Sequence, residues 1–443
     1  MTRFGPGPWA VGIGWRGARA LTVAALAALA LTAGEAAGQG ARRPCEVVID
    51  RTGGEGRQID RGGGIYHIFQ GGGVWAHCRG QATRMYADSV AYYQDLGRLD
   101  MTGHVEFRDS TAELRSERAS YYLSDERLDA FGNAKLANLE TGSLLTGPNL
   151  TYRRKAAGVR DTAELTATRR PTIEYHVADT AGAEPYLIVG DRVRLRGNTN
   201  AWVAGRVTID RSDFHAKADS AELDTGAGNG RLVGQAQVEG ADSAGYTLTG
   251  RTIGFRLAED ALTWVQAEER AESVSSAWQV VADTIQFDLE HNRIQRGNAW
   301  GDSLKPRAVS STNTITGDSL AIVAPDQQLS LVRAIGQARA TARRDSLDEE
   351  TDWVAGDTVI AHFDSTDTGA RALVTLEAMG NAKTQYRVFE EDGITLAGIS
   401  YSRGDRILAR FRGEALDTVH VWGQMDGVFL EAAGTGPRRG GGS

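Results

Sequence analysis

The sequence predicts an all-β protein, an elongated stack of about ten β-rungs. A short motif recurs along the chain: an Asp, then a Ser or Thr, with apolar residues two and four positions after the Asp. Its clearest copies begin at Asp88, Asp219, Asp283, Asp318 and Asp357. Polar and apolar residues alternate within each copy, which is typical of half-buried strands and not of helices. The 54 glycines and only 9 prolines also favour a β protein with many turns.

Each repeat contains a second strand, which begins about ten residues after the first. This strand starts with an apolar residue and reaches a Gly that is followed by alternating small or apolar residues, as around Gly103 and Gly132. Two long strands with turns of variable length indicate a folded-over sheet, V-shaped or jelly-roll, whose rungs lie one above another. We interpret the motif Asp as a strand-start residue that hydrogen-bonds nearby backbone N–H groups.

The chain is expected to consist of three segments. Residues 1–38 have the order of a signal peptide: Arg3, Arg16 and Arg19 precede an apolar run, and small residues follow it. The unbroken repeat predicts one domain over residues 39–433, followed by a flexible tail at 434–443. Export makes a disulfide between Cys45 and Cys78 plausible, with two unreactive thiols as the alternative.

Composition and motifs argue against several classes of function. The net charge is −8 without a basic stripe, so nucleic acid is a poor partner. The eight His residues lack metal-ligand spacing, and no nucleophile elbow is present, so we expect neither an enzyme nor a cofactor or metal. The basic run at residues 153–155 is interpreted as solvated turn residues, with contact to lipid phosphates as the sharper alternative.

The inward-facing apolar residues have two possible roles. In a closed stack they form a core, whereas in a V-shaped stack they line a trough that can hold acyl chains. The sequence leaves both roles open. The candidate groove residues are Tyr92, Tyr122, Tyr152, Leu195, Leu223, Phe255, Phe287, Ile322 and Tyr401.

The pattern of strand, turn and Leu-x-x-x-Gly-x-Val/Ala resembles the OstA-like (organic solvent tolerance-like) family. That family includes the periplasmic lipopolysaccharide-transport protein LptA and the N-terminal domain of LptD. The segments that carry the resemblance are 87–105, 118–134 and 147–152. The best match covers residues 65–175, and weaker copies extend to 433. The chain is longer than the short bridge proteins of the family.

The resemblance implies a β-jelly-roll or β-taco that lies in the periplasm and shields lipopolysaccharide acyl chains during transport to the outer membrane. The implied partners are lipopolysaccharide or a similar acylated lipid, other lipopolysaccharide-transport proteins bound through edge strands, and further copies of the chain end to end. The alternative function is a structural or adhesive extracytoplasmic β-solenoid with a filled core. A glycan-cleaving β-helix is a third hypothesis.

Overall fold

The computed structural model describes residues 45–156, 160–176, 184–240, 245–258, 261–343, 351–365, 371–390, 395–412 and 415–432. All of them belong to the second of two compact units, which spans Arg42–Ser443. The predicted signal peptide at 1–38 and the predicted tail at 434–443 lie outside the described residues.

The described residues form antiparallel strands and two short 3-10 turns, Gln94–Leu96 and Pro325–Gln327, which confirms the predicted all-β fold class. The strands are β1 (Val47–Thr52), β2 (Gly56–Asp60), β3 (Tyr66–Cys78), β4 (Arg84–Tyr93), β5 (Arg98–Arg108), β6 (Ala112–Tyr122), β7 (Arg127–Asn138), β8 (Leu144–Arg153), β9 (Glu164–Thr168), β10 (Thr172–Tyr175), β11 (Tyr186–Val189), β12 (Arg192–Arg196), β13 (Asn200–Arg211), β14 (Phe214–Asp224), β15 (Asn229–Gly240), β16 (Thr247–Ala258), β17 (Ala261–Val274), β18 (Gln279–Glu290), β19 (Arg293–Trp300), β20 (Arg307–Val309), β21 (Asn313–Thr316), β22 (Ser319–Val323), β23 (Leu331–Ala342), β24 (Asp352–Ser365), β25 (Arg371–Phe389), β26 (Leu396–Arg412), β27 (Ala415–Trp422) and β28 (Asp426–Glu431).

Each long strand pairs with the strands before and after it in the chain. Six consecutive pairs are the two halves of one interrupted strand, because both halves pair with the same neighbour. These pairs are β1/β2, β9/β10, β11/β12, β19/β20, β21/β22 and β27/β28. The prediction of a continuous stack of antiparallel rungs therefore holds for the described part of the chain.

The strands are bent so that their two halves face each other. Phe107 of β5 is paired with Leu114 of β6, yet its ring centroid lies 5.7 Å from that of Tyr121, near the other end of β6. A straight strand would separate residues 114 and 121 by about 23 Å. The sheet therefore folds over on itself, and its two half-sheets enclose an apolar interior.

A recurring bulge in alternate strands marks the bend. In β5, Gly103 and His104 have φ values of 80° and 42°, and the register between β4 and β5 shifts here. The Asp88 side chain covers Gly103, so a Cβ at Gly103 would lie 2.8 Å from Asp88 Cγ. Only glycine fits this position. The same pair of positive-φ residues recurs at Gly132 and Asn133, Gly205 and Arg206, Gly234 and Gln235, Gly336 and Gln337, and Gly380 and Asn381.

The repeated Asp is therefore a bend residue, which corrects the strand-start interpretation. Asp88 lies in the middle of β4, and its Oδ2 is 2.8 Å from His104 Nδ1 across the bulge. Asp219, Asp318 and Asp357 cover glycines of the following strand in the same way. Each copy of the repeat therefore supplies the two residues that form the bend of the folded sheet, an acid on one strand and a Gly on the next.

Candidate functional site

The two margins of the folded sheet face each other across a gap that we call the mouth. Edge A consists of the turns at residues 79–83, 109–111, 139–143, 212–213 and 275–278, and edge B of those at 94–97, 123–126, 197–199, 225–228, 291–292 and 324–330. The two edges alternate because successive strands are antiparallel. Buried apolar side chains between the half-sheets form one cluster that extends from Cys45 to Ala409.

Three apolar cavities interrupt this packed interior. Cavity 1, of about 120 Å³, is lined by Tyr152, Leu195 and Leu223 among others. Cavity 2, of about 270 Å³, is lined by Leu223 and Phe255. Cavity 3, of about 420 Å³, is lined by residues that include Phe287 and Ile322. These six residues are all predicted groove residues, and the structure distributes them over three cavities, of which the first two share Leu223.

The other three predicted groove residues do not line these cavities. Tyr92 is partly buried against the core, and burial raises the pKa of its hydroxyl. Tyr122 lies on the outer face, where the guanidinium carbon of Arg127 is 4.0 Å from its ring centroid. Tyr401 is also on the outer face and is 37% exposed, with its ring 6.2 Å from that of Trp353.

The predictions for Tyr122 and Tyr401 were wrong because the motif was aligned one or more residues away from the acid at the bend. In β6 that acid is Glu117, which accepts a hydrogen bond from Asn133 (2.6 Å), so Tyr121 is the inward residue and is fully buried. In β26 the acid is Asp405, which covers Gly423. The inward residues that follow it are Ile407 and Ala409.

A buried ion network joins the two edges near the first strands. Arg154 Nε donates to Asp109 Oδ2 on edge A (3.2 Å), and Arg154 Nη1 donates to Glu126 Oε2 on edge B (2.8 Å). Asp109 and Glu126 are 5% and 10% exposed at their side chains, and Arg154 is 14% exposed. We call Arg154, Asp109 and Glu126 the arginine clasp. Within the basic run at 153–155 it corrects the interpretation as solvated turn residues for Arg154 alone, because Arg154 is engaged by carboxylates and not by solvent.

Two tyrosines complete the arginine clasp. Tyr152 donates to Asp109 Oδ2 (3.0 Å), and Tyr121 donates to Glu126. Burial raises the pKa of the Tyr121 hydroxyl, and its hydrogen bond to Glu126 raises it further. Burial alone would lower the pKa of Arg154, but its contacts with Tyr121, Glu126 and Asp109 together raise that pKa. Both tyrosines are therefore neutral donors, and the guanidinium remains charged at any physiological pH.

The disulfide lies beside the arginine clasp. Cys45 is bonded to Cys78, with the two Cα atoms 5.0 Å apart. The Cys45 backbone N–H donates to Glu126 Oε1 at 3.2 Å, which ties the start of the described chain to edge B. The disulfide and the clasp thus fix the same end of the interior.

Weaker contacts join the edges elsewhere. Asn198 on edge B donates to Glu140 Oε2 on edge A at 2.5 Å. Asn292 on edge B donates to Asp213 Oδ2 on edge A, also at 2.5 Å. Farther along, the Trp278 ring of edge A meets the Phe363 ring at 5.6 Å. The mouth is therefore closed at intervals by side-chain contacts, and the cavities lie between them.

The cavities differ in the charge of their lining. Glu164 is among the residues that line cavity 1, and Asp224 is among those of cavity 2. Among the described residues that line cavity 3, Arg371 alone carries a charge. Arg371 and the edge asparagines could not be recognised from the sequence, and Arg154 stood out only as part of a basic run, because their contacts join residues far apart in the chain.

The described residues contain no group of three or more His, Cys, Asp or Glu side chains that could hold a metal ion. His67, His77 and His104 each contact one carboxylate at 2.8 Å, and each pair is exposed. In the part of the chain that the structure describes, no helix has the length and hydrophobicity needed to cross a bilayer.

Comparisons with known proteins show a likeness to solved structures. No protein-family model and no curated protein matches the chain. Among solved structures, it is similar to the crystal structure of LptH, the LptA homologous periplasmic component of the conserved lipopolysaccharide transport device from Pseudomonas aeruginosa. The identity is 20%, the match covers 32% of this chain and 97% of that chain, and the TM-score is 0.24. The fold of this chain is defined by its own strand pairing.

Proposed function

We propose that this chain is a non-catalytic lipid-binding protein of the periplasm. It would shield acyl chains of lipopolysaccharide or a similar acylated lipid during transport to the outer membrane, as one repeat domain over residues 39–433 after removal of residues 1–38. The observation that carries the proposal is the apolar interior with cavities 1, 2 and 3 between edges A and B.

The hydrophobic effect supplies the binding energy in this proposal. Each methylene group moved from water into the interior contributes about 0.8 kcal/mol. Pockets for small ligands usually have volumes of about 300–1,000 Å³, and cavity 3, at about 420 Å³, falls in that range. Larger lipids require the edges to separate. The contacts between edges are made by side chains, so separation leaves the backbone pairing of the strands intact.

The two ends of the sheet support end-to-end partners. Among the described strands, β1 and β2 pair only with β3, and β27 and β28 pair only with β26, so within this part of the chain each end has backbone groups without a strand partner. Such edges pair readily with another strand. β28 also exposes Val428, Phe429 and Leu430. These edges suit lipopolysaccharide-transport proteins or further copies of the chain.

Site-specific photo-crosslinking tests the proposal. A photoreactive amino acid at Leu223 or Phe287 faces the interior and is expected to capture lipopolysaccharide in cells. Trp202 is the matched control, because it lies on the outer face of β13, opposite Glu222 of β14 and one residue from the strand position of Leu223. Crosslinks from Leu223 and Phe287 to protein alone, or equal lipid capture at Trp202, would contradict the proposal.

A second candidate function is a structural scaffold with a filled core. The packing at β5–β8 favours it: Phe107, Tyr121 and Tyr152 fill the space between the half-sheets, and each is at most 4% exposed. Native mass spectrometry of protein purified from its host distinguishes the two functions. A scaffold would carry no bound lipid, whereas the lipid-binding protein would retain acylated species.

A further inference from the structure

We infer that cavity 3 is a binding site for one acyl chain with an anionic head group, carboxylate or phosphate, with the head group at Arg371. The inference rests on the proposed lipid-binding function and adds a selection for head-group charge. Unlike a general apolar groove, cavity 3 would hold one acyl chain and would select its head group through one charged residue, Arg371.

The walls of cavity 3 suit an alkyl chain. Phe287, Ile294 and Ile322 lie on the half of the sheet that leads to edge B, and each is less than 10% exposed. Tyr246 and Trp278 close the cavity from the side of edge A. The Tyr246 ring lies 5.9 Å from that of Phe287, so the cavity is bounded by aromatic rings as well as aliphatic side chains.

The mouth of cavity 3 is lined by polar groups. On edge A it has the serines of the 275–278 turn, and on edge B it has Gln327, Gln328 and Arg371. Edge B is long here, because residues 324–330 include a 3-10 turn. An amphiphile with its chain inside would therefore place its head group among hydrogen-bond donors at the surface.

Arg371 is placed to bind that head group. Its Nη2 donates to Gln328 Oε1 at 3.0 Å and its Nη1 to the Phe363 carbonyl at 3.4 Å, which hold the guanidinium over the mouth. Asp364 Oδ1 lies 3.7 Å away, but that side chain is 76% exposed and can turn into solvent. A guanidinium has five N–H donors, so donors remain for a carboxylate or phosphate.

Cavities 1 and 2 provide an internal contrast. The described residues that line these two cavities include no Arg or Lys, and their carboxylates are already engaged: Glu164 lies 3.7 Å from Arg194, and Asp224 accepts hydrogen bonds from the Gly226 and Ala227 N–H groups. Charge complementarity therefore assigns an anionic amphiphile to cavity 3 and not to the other two cavities.

Calorimetric titration of the full mature chain tests this inference. The probes are dodecanoate, dodecyl phosphate and uncharged 1-dodecanoylglycerol, each below its critical micelle concentration. Arg371→Gln is expected to weaken binding of the anionic probes about tenfold, the effect of losing a charge-assisted hydrogen bond, and to leave 1-dodecanoylglycerol unchanged. A loss confined to dodecanoate or to dodecyl phosphate would also support the site and would identify the head group.

Two further variants make the result decisive. Ala308→Phe fills cavity 3 from its wall and is expected to abolish this binding event for all three probes. Arg251→Gln removes an exposed arginine that pairs with Glu269, outside the residues that line cavity 3, and is expected to change nothing. Thermal melts verify that each variant is folded.

Two outcomes would overturn the inference: Arg371→Gln weakens all three probes equally or none, or Ala308→Phe leaves binding intact. If interior crosslinks to lipid persist in either case, the proposed function stands without this site. If no probe binds and no crosslink forms, the inference and the proposed function both fail.

Discussion

Replacement of Arg154 by Met is expected to destabilise the first strands strongly. The change removes the cation of the arginine clasp and leaves Asp109 and Glu126 buried without their charge partner. Breaking a buried ion pair on one side costs about 3–5 kcal/mol. We expect the lower end, about 3 kcal/mol, because Asp109 keeps the N–H groups of Thr111 and Ala112, and Glu126 keeps that of Cys45.

Amide hydrogen exchange of β5–β8 is the appropriate assay. In a repeat protein each unit contacts mainly its neighbours, so a global unfolding free energy is poorly defined. Exchange measures the local opening free energy of each strand. Arg154→Met should lower that free energy in β5–β8 and leave β23–β26 unchanged.

Two further variants separate charge from packing. Arg153→Met is the matched control, because Arg153 is adjacent, lies on the other face of the sheet and takes no part in the clasp. Combining Arg154→Met with Asp109→Asn and Glu126→Gln removes all three charges and should recover most of the loss. Equal exchange in Arg154→Met and Arg153→Met would refute the reasoning.

Three other changes test the bend and the open edge. Gly234→Ala should lower the local stability of β14 and β15 by about 2 kcal/mol, because the φ of Gly234 is 79° and the new Cβ overlaps Asp219. Hydrogen exchange measures this loss. Adding Asp219→Gly should relieve the overlap, and a double variant with no recovery of stability would contradict this explanation. The hydrogen bond to Asp88 raises the pKa of His104, so Asp88→Asn should lower that pKa in an NMR titration. The stabilisation from this pair is present below the unfolded-state pKa of about 6.5 and is lost as pH rises through the folded value, so an unchanged His104 pKa would exclude the pairing. Val428→Lys on β28 should reduce self-association measured by analytical ultracentrifugation, whereas the control Arg57→Lys on β2 should not. Equal masses for the unmodified protein and both variants would argue against end-to-end pairing.

The fold could be predicted from sequence because its determinants are local. Period-two alternation in copies such as residues 283–287 identifies strands without knowledge of their partners. The role of the repeated Asp could not be predicted in the same way. Asp219 meets Gly234 on the next strand, fifteen residues later, and only the positive φ of that Gly explains why the two residues recur together.

The candidate site was predictable only in part, for a related reason. The inward positions of Leu223, Phe255 and Phe287 follow from alternation after a clear motif Asp or its equivalent. Alternation assigned Tyr122 to the wrong face of the sheet. Two tyrosines are adjacent there, and the acid at the bend is Glu117 and not an Asp, so the motif did not show which tyrosine faces inward. Residues that join the edges, such as Asn198 and Glu140, are 58 positions apart and follow no pattern in the sequence.

A packed interior and a lipid-binding function are compatible because the contacts across the mouth are unequal. The arginine clasp is buried and ionic, so opening there costs several kcal/mol. The hydrogen bonds of Asn198 and Asn292 to their carboxylate acceptors are more exposed and contribute about 1.5–3 kcal/mol each. Burial of about eight methylene groups, at about 0.8 kcal/mol each, offsets the loss of both. Opening should therefore begin beyond the clasp, over the cavities, while the disulfide-linked end stays closed.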